Sequence, residues 1–283
     1  MDHDHGGGPG IAHGQAFGWD LFEALVVLVV VGAAVGYAVS LWAARGRSPW
    51  PVGRTVAWYA GLVCAGAGLV GPVASAAHTS FTAHMVGHLF LGMLAPLLLV
   101  LGAPVTLILR ALPVAGARSL TRLLRTPLVR MITHPVVAAV LNAGGLWVLY
   151  TTSLYPLMHT SVVLHALVHA HIFLAGYVFT AALVGVDPDP HRASVPVRSA
   201  VLIIFIAAHS ILAKWLYAHP PAGVDVVDGQ VGAQLMYYGG DIVDVALIVL
   251  LFAGWYTATR PKPIADSPPG RLSSQDRHVD REP

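Results

Sequence analysis

Residues 78–112 read HTSFTAHMVGHLFLGMLAPLLLVLGAPVTLILRAL, and a conflict inside that stretch decides the class of fold. Residues 81–109 contain no Asp, Glu, Lys or Arg, and the run exceeds the ~20 residues that cross about 30 Å of hydrocarbon. It nevertheless opens on His84 and His88, polar side chains that a lipid-exposed helix has no use for. Ionisable groups at membrane depth are costly and mark functional sites by default. The whole chain agrees with the apolar half of this reading. Its 283 residues are 56% hydrophobic and 11% charged, with a mean hydropathy of +0.68, too apolar to keep a soluble surface. In lipid the backbone must satisfy its own hydrogen bonds, so the expected class is an all-α integral membrane protein.

Outward from that stretch, seven spans are expected, at approximately 21–43, 55–73, 81–109, 136–152, 161–184, 197–217 and 234–258. Together they form a seven-helix transmembrane domain over 21–258. Pro96 and Pro104 inside the third span predict a kink or a tilted entry. Residues 1–20 are expected to be a flexible extracytoplasmic tail rich in Gly and His, including His3, His5 and His13, and residues 259–283 a disordered cytoplasmic tail. The amino-terminal residues lack the basic region of a signal peptide, so the first span is expected to be retained. The single cysteine, Cys64, excludes an internal disulfide and a CxxC motif.

Fifteen of the sixteen basic residues fall in the loops on one side and in the tail, among them Arg45, Arg110, Arg118, Arg122, Arg125 and Arg192; Lys214 is the exception. The positive-inside rule makes that side cytoplasmic, with the amino terminus outside and the carboxyl terminus inside. The net charge of +2 reports this asymmetry and gives no reason to expect nucleic acid as a partner.

Orientation places the polar residues at one depth. His84 and His88 lie one to two turns into the third span from outside, and His165 and His169 repeat the i, i+4 spacing in the fifth. That spacing offers two imidazoles on one helix face. His209 lies about two turns from the outer end of the sixth span, and Asp241 and Asp244 early in the seventh. These residues predict a metal site in the outer leaflet. The two aspartates serve either as ligands or as groups that orient a histidine. His171 lies about 200° round the helix from His169 and is expected to pack against another helix. His78 and His159, in outer loops or at helix starts, either relay metal or are solvated, while His134 and His191 are cytoplasmic and outside the site. Met85, flanked by the His84/His88 pair, adds a thioether, and Met93, Met158 and Met236 lie nearby. Imidazole with thioether favours copper as Cu(I), ahead of zinc or iron.

Residues 78–112, with their His-Met-x-x-His start and Pro/Gly-punctuated continuation, resemble the signature segment of the polytopic CtaG family of cytochrome c oxidase assembly factors. Residues 134–179, beginning HPVVAAVLNAGG, and 234–256, QLMYYGGDIVDVALIVLLFAGWY, resemble its later segments. The likeness runs from about residue 20 to 258. The resemblance implies a protein of the bacterial cytoplasmic membrane that is no enzyme and no subunit of the finished oxidase. It implies delivery of copper, received from an extracytoplasmic donor, to a nascent haem-copper oxidase subunit. A homo-oligomer is compatible with it.

Two other classes stay open at this point. A membrane cytochrome could clamp haem iron between histidines of facing helices, although the second histidine of each pair would crowd the porphyrin edge. A proton-coupled transporter could use Asp241 and Asp244, but polar groups confined to the outer half do not describe a full pathway. The expected topology is tested by cysteine labelling in a Cys64→Ser background. His78→Cys and Asp225→Cys should react with an impermeant thiol reagent added outside, and Leu120→Cys should not; the reverse pattern would invert the orientation.

Overall fold

A computed structural model describes the backbone of residues 9–260 and the side chains from residue 17 onward. His3, His5 and nearly all of the expected cytoplasmic tail lie outside the described residues, as does the side chain of His13. Among the described residues all regular structure is helical: α1 (Pro9–Ala44), α2 (Val52–Ala67), α3 (Pro72–Ala77), α4 (Phe81–His88), a π-helical segment (Leu89–Leu94), α5 (Ala95–Leu101), α6 (Pro104–Ala111), α7 (Val114–Leu124), α8 (Pro127–Ile132), α9 (Pro135–Thr151), α10 (Leu154–Met158), α11 (Val162–Val184), α12 (Val195–Ala218) and α13 (Val226–Thr259).

Six stretches among the described residues are long and apolar enough to cross a membrane: Phe17–Ala44, Val52–Ala77, Phe81–Leu101, Val162–Val184, Val195–Ala218 and Val226–Thr259. The expected fourth span corresponds to α9, apolar but only 17 residues long, or about 25 Å at 1.5 Å per residue. The outward faces of the long helices are apolar; Val29 is 68% exposed, Ile204 68% and Ile242 74%. Water does not tolerate so continuous an apolar surface on a monomer, and lipid does. The chain is a multi-pass membrane protein.

The central element is the third span, the most deeply buried of the six. It packs against α2, α11 and α13, and its irregularities follow from its prolines. Pro96 has no N–H with which to close an α-helical turn, and the π-helical segment ends just before α5 begins at Ala95. The span then stops at Leu101, short of the expected residue 109. Ala103 is left-handed (φ 49°, ψ 53°) and Pro104 restarts the chain at the first turn of α6, where proline costs nothing. Asp187 satisfies the new helix start, accepting from Val105 N at 3.2 Å, Thr106 N at 2.8 Å and the Thr106 hydroxyl at 2.6 Å. At the other end of the chain, α1 begins at Pro9 and its apolar stretch at Phe17, both ahead of the expected residue 21.

Packing divides the interior into two apolar clusters. One gathers Phe81, Met85, Leu149, Tyr150, Leu212, Leu216 and Met236. The other gathers Met93, Leu97, Phe179, Leu183, Phe205, Leu247 and Leu251. On the third span they are separated by His88, and between α12 and α13 by His209 and Gly240. A close backbone approach joins α11 to the π-helical segment: a Cβ on Gly176 would overlap the Gly92 carbonyl and touch Pro96 Cγ at 3.2 Å. Gly176→Leu should therefore lower the thermal midpoint in detergent, since overpacking costs typically ~1–3 kcal/mol. Gly144→Ala should leave it unchanged, because its added methyl would meet only Val140 Cγ1, at 4.0 Å. Equal midpoints for Gly176→Leu and the unmodified protein would refute this contact.

Candidate metal centre

Two serines start the histidine-bearing helices. Ser80 caps α4, its Oγ accepting from Ala83 N at 3.2 Å, and Ser161 caps α11, accepting from Leu164 N at 3.4 Å. A second bond set ties α4 to α13. The Asp228 carboxylate accepts from Phe81 N at 2.5 Å, Thr82 N at 3.1 Å and Ser80 Oγ at 3.1 Å, while Thr82 Oγ1 donates to the Asp228 carbonyl at 3.2 Å. A carboxylate at a helix N-terminus meets both free N–H groups and the positive end of the dipole. Asp228 thereby fixes the height of His84 and His88 against α13. Asp228 lies ahead of the last span expected from residue 234, because α13 begins two turns earlier, at Val226.

The amino-terminal parts of α1, α4 and α11 border a cavity of about 30 Å³ lined by five histidines, His78, His84, His159, His165 and His169, with Trp19, Phe22 and Glu23 of α1 on one side. The His165 and His169 rings stack with centroids 4.0 Å apart. His84 stands 6.3 Å from both His159 and His169, and His78 stands 6.1 Å from both His159 and His165. Two imidazoles sharing a tetrahedral ion at about 2.0–2.1 Å per nitrogen hold their centres roughly 5 Å apart, so these separations bracket what sharing requires. Among the described residues no group of three or more His, Cys, Asp or Glu side chains is gathered tightly enough to hold a metal ion as the rings stand.

The nitrogens of the cavity are chemically suited to a cation. His169 Nδ1 lies 2.9 Å from the His165 carbonyl oxygen. Only a protonated nitrogen can make that bond, so Nδ1–H donates and Nε2 keeps a free lone pair. His84 Nε2 is 3.0 Å from the Tyr150 hydroxyl, which leaves Nδ1 uncommitted to that bond. Nδ1 of His159 and Nδ1 of His165 are buried with no partner. Burial, and next the neighbouring His78, hold His159 below the ordinary imidazole range, so at neutral pH it presents a lone pair and no charge.

The expected ligands do not all share this cavity. His88 lies one turn beyond His84, outside the lining, and pairs instead with His209 of α12, ring centroids 6.2 Å apart and planes 19° apart. Asp244 is 2% exposed and neither of its oxygens has a partner; Asp241 is half-buried. The i, i+4 spacing does put His84 and His88 on one stripe, but the stripe meets α11 at His84 and α12 at His88. Met85 is fully buried in the apolar cluster, where its sulfur lies 3.9 Å from the Tyr150 hydroxyl. His171 is directed to α9, as its helix position predicts, with Nε2 3.0 Å from the Leu141 carbonyl oxygen. His78 and His159, left open between relay and solvation, line the cavity.

Comparison with known proteins bears on this arrangement. The model of the family described as cytochrome c oxidase caa3 assembly factor (Caa3_CtaG) matches residues 35–258. The chain belongs to this family. That stretch holds every cavity histidine and the His88/His209 pair, while Trp19, Phe22 and Glu23 lie ahead of it. Uncharacterized proteins of Mycobacterium bovis and Mycobacterium tuberculosis are each 31% identical over 285 residues, covering 92% of this chain and 41% of their own length. An uncharacterized protein of Mycobacterium leprae is 29% identical over 262 residues, covering 83% of this chain and 39% of its own. The chain thus spans about two fifths of these curated relatives. No solved structure matches it.

The geometry separates cavity histidines from their neighbours by a direct measurement. In a Cu(I) titration against a chromophoric competitor, His169→Ala should weaken retention at least about tenfold, each tenfold step being about 1.4 kcal/mol. His171→Ala, which removes a ring directed to α9, should not. Equal losses from the two would place the binding nitrogens elsewhere.

Proposed function

We propose that this protein lies in the bacterial cytoplasmic membrane as seven spans, amino terminus outside and carboxyl terminus inside. It takes Cu(I) into the five-histidine cavity from the extracytoplasmic side, and passes it to a nascent haem-copper oxidase subunit. The observation that carries the reading is the cavity itself: five imidazoles around one small space, with buried, partnerless nitrogens on His159 and His165. Leaving a buried polar atom unpaired costs about 1–3 kcal/mol, a cost that a bound cation removes. Family membership supplies the destination, since the family is one of cytochrome c oxidase assembly factors. The gathering of Arg47, Arg118, Arg122 and Arg125 around one groove supports the orientation.

Copper here is cargo. It is bound and released by exchange of nitrogen donors, with no change in oxidation state and no substrate bond made or broken. His169, held in one tautomer by the His165 carbonyl, presents Nε2; His84 is steadied by Tyr150; His78 and His159, nearer the outer rim, are placed to receive the ion first. Neutral imidazoles suit a soft monovalent ion, and Glu23 at the rim adds a negative charge that attracts it.

In cells lacking the protein, oxidase polypeptides and haem should still be inserted while oxidase activity is lost. A copy carrying His165→Ala with His169→Ala should fail to restore activity at normal membrane abundance, and raised external copper should restore part of it by mass action. Full activity with that doubly substituted copy as sole source would reject the cavity as the working site.

A further inference from the structure

We propose that His88, His209 and Asp244 form a second copper station, separate from the outer cavity and one helical turn deeper, where the two imidazoles hold a single Cu(I) and the carboxylate balances its charge. The inference rests on the copper reading of the outer cavity and adds a site to it.

Three observations carry it. First, His88 is 5% exposed, His209 3% and Asp244 2%, and none of these side chains has its polar atoms satisfied: both His88 nitrogens, His209 Nε2 and both Asp244 oxygens lack a partner. A simple structural histidine would be bonded to a neighbouring carbonyl, as His171 is to Leu141. Second, the ring centroids lie 6.2 Å apart with planes 19° from parallel in a stacked relation, so turning each ring about its Cβ–Cγ bond is what aims a nitrogen of one at the other. Two imidazoles in line on one ion, at about 2.0 Å per nitrogen, hold their centres roughly 6 Å apart. Cu(I) is content with two donors in line, and this pair needs no third ligand. Third, room has been made for the His209 ring. A Cβ on Gly240 would stand 2.6 Å from His209 Cε1, and Asp244 is four residues further along α13, on the same helix face.

Charge selects the ion. Two neutral imidazoles, one carboxylate and one Cu(I) sum to zero, whereas Zn(II) in the same place would leave an unbalanced charge between the two apolar clusters that flank this level. Position supplies the connection. His84 lines the outer cavity and His88 belongs to the deeper pair, four residues apart on α4, or about 6 Å along the helix axis. An ion released from the outer cavity therefore reaches the deeper pair within one turn.

The test uses the full-length protein in lipid nanodiscs, titrated anaerobically with Cu(I) against bicinchoninate. Two equivalents should bind. His209→Ala should remove one of them and His165→Ala with His169→Ala the other. His209→Met should keep both, because a thioether still ligates Cu(I), and that result separates ligand loss from misfolding. Asp244→Asn should weaken the deeper equivalent by about 10–100-fold without removing it. In the variant lacking His165 and His169, X-ray absorption should show two-coordinate Cu(I) with nitrogen donors. A single equivalent in the unmodified protein that survives His209→Ala, two that survive His209→Ala, or a coordination number of three or four in that spectrum would each overturn the second station. Loss of copper from His209→Ala with no effect of the outer substitutions would instead reject the outer cavity and leave the deeper pair standing.

Discussion

A helix that spans lipid has nowhere to send an unpaired backbone group, and the third span meets that constraint at three points. At its start, the free N–H groups of α4 are taken by Ser80 and by Asp228 from α13. In its middle, the donor missing at Pro96 coincides with π-helical turns. At its end, the chain breaks at Ala103 and restarts at Pro104 under the carboxylate of Asp187. Each device also joins the central span to a different part of the bundle. What satisfies the backbone therefore fixes where the histidines of that span stand.

The histidine positions follow from this anchoring. Asp228 sets the height of α4, so His84 meets the cavity formed with α11 while His88, a turn on, meets α12. Beyond His88 the interior is mainly apolar around Phe179, Phe205 and Leu247, with Asn142, Thr180 and Arg198 as buried polar exceptions. The Gly92–Gly176 approach brings α11 close enough for His165 and His169 to reach His84. Glycines here act by the absence of a side chain, which lets backbone and imidazole occupy the same narrow space.

Much of this was legible in the sequence. Apolar runs of ~20 residues determine spans whatever their neighbours do, and histidines at i, i+4 must share a helix stripe. The family membership, carried by residues such as His84, Met85 and His88, was legible as well. Spacing along one helix could not say which neighbour each end of a stripe meets. A single depth for His84, His88, His165, His169 and His209 thus resolves into two levels once α11 and α12 are placed. His78 and His159 were ambiguous because loop residues have no periodicity to orient them. Asp228 was hidden by a boundary error of two turns, at the helix ends where pattern reading is weakest.

The wall that α1 gives the outer cavity is a single helix thick and faces lipid on its far side. Trp19 meets His78 and His165 edge-on at 5.0 and 4.9 Å, and Phe22 meets His165 at 5.4 Å. Aromatic contacts of this kind contribute about 0.5–1.5 kcal/mol each. α1 is anchored further along, where the Tyr37 hydroxyl donates to the Gly102 carbonyl at 3.0 Å and the Tyr59 hydroxyl to the Ala34 carbonyl at 3.2 Å, so beside the histidines these ring contacts alone form the partition from lipid. Under the proposed copper role, an ion leaving through that partition would stay within the bilayer, without meeting bulk water or the chelators dissolved in it.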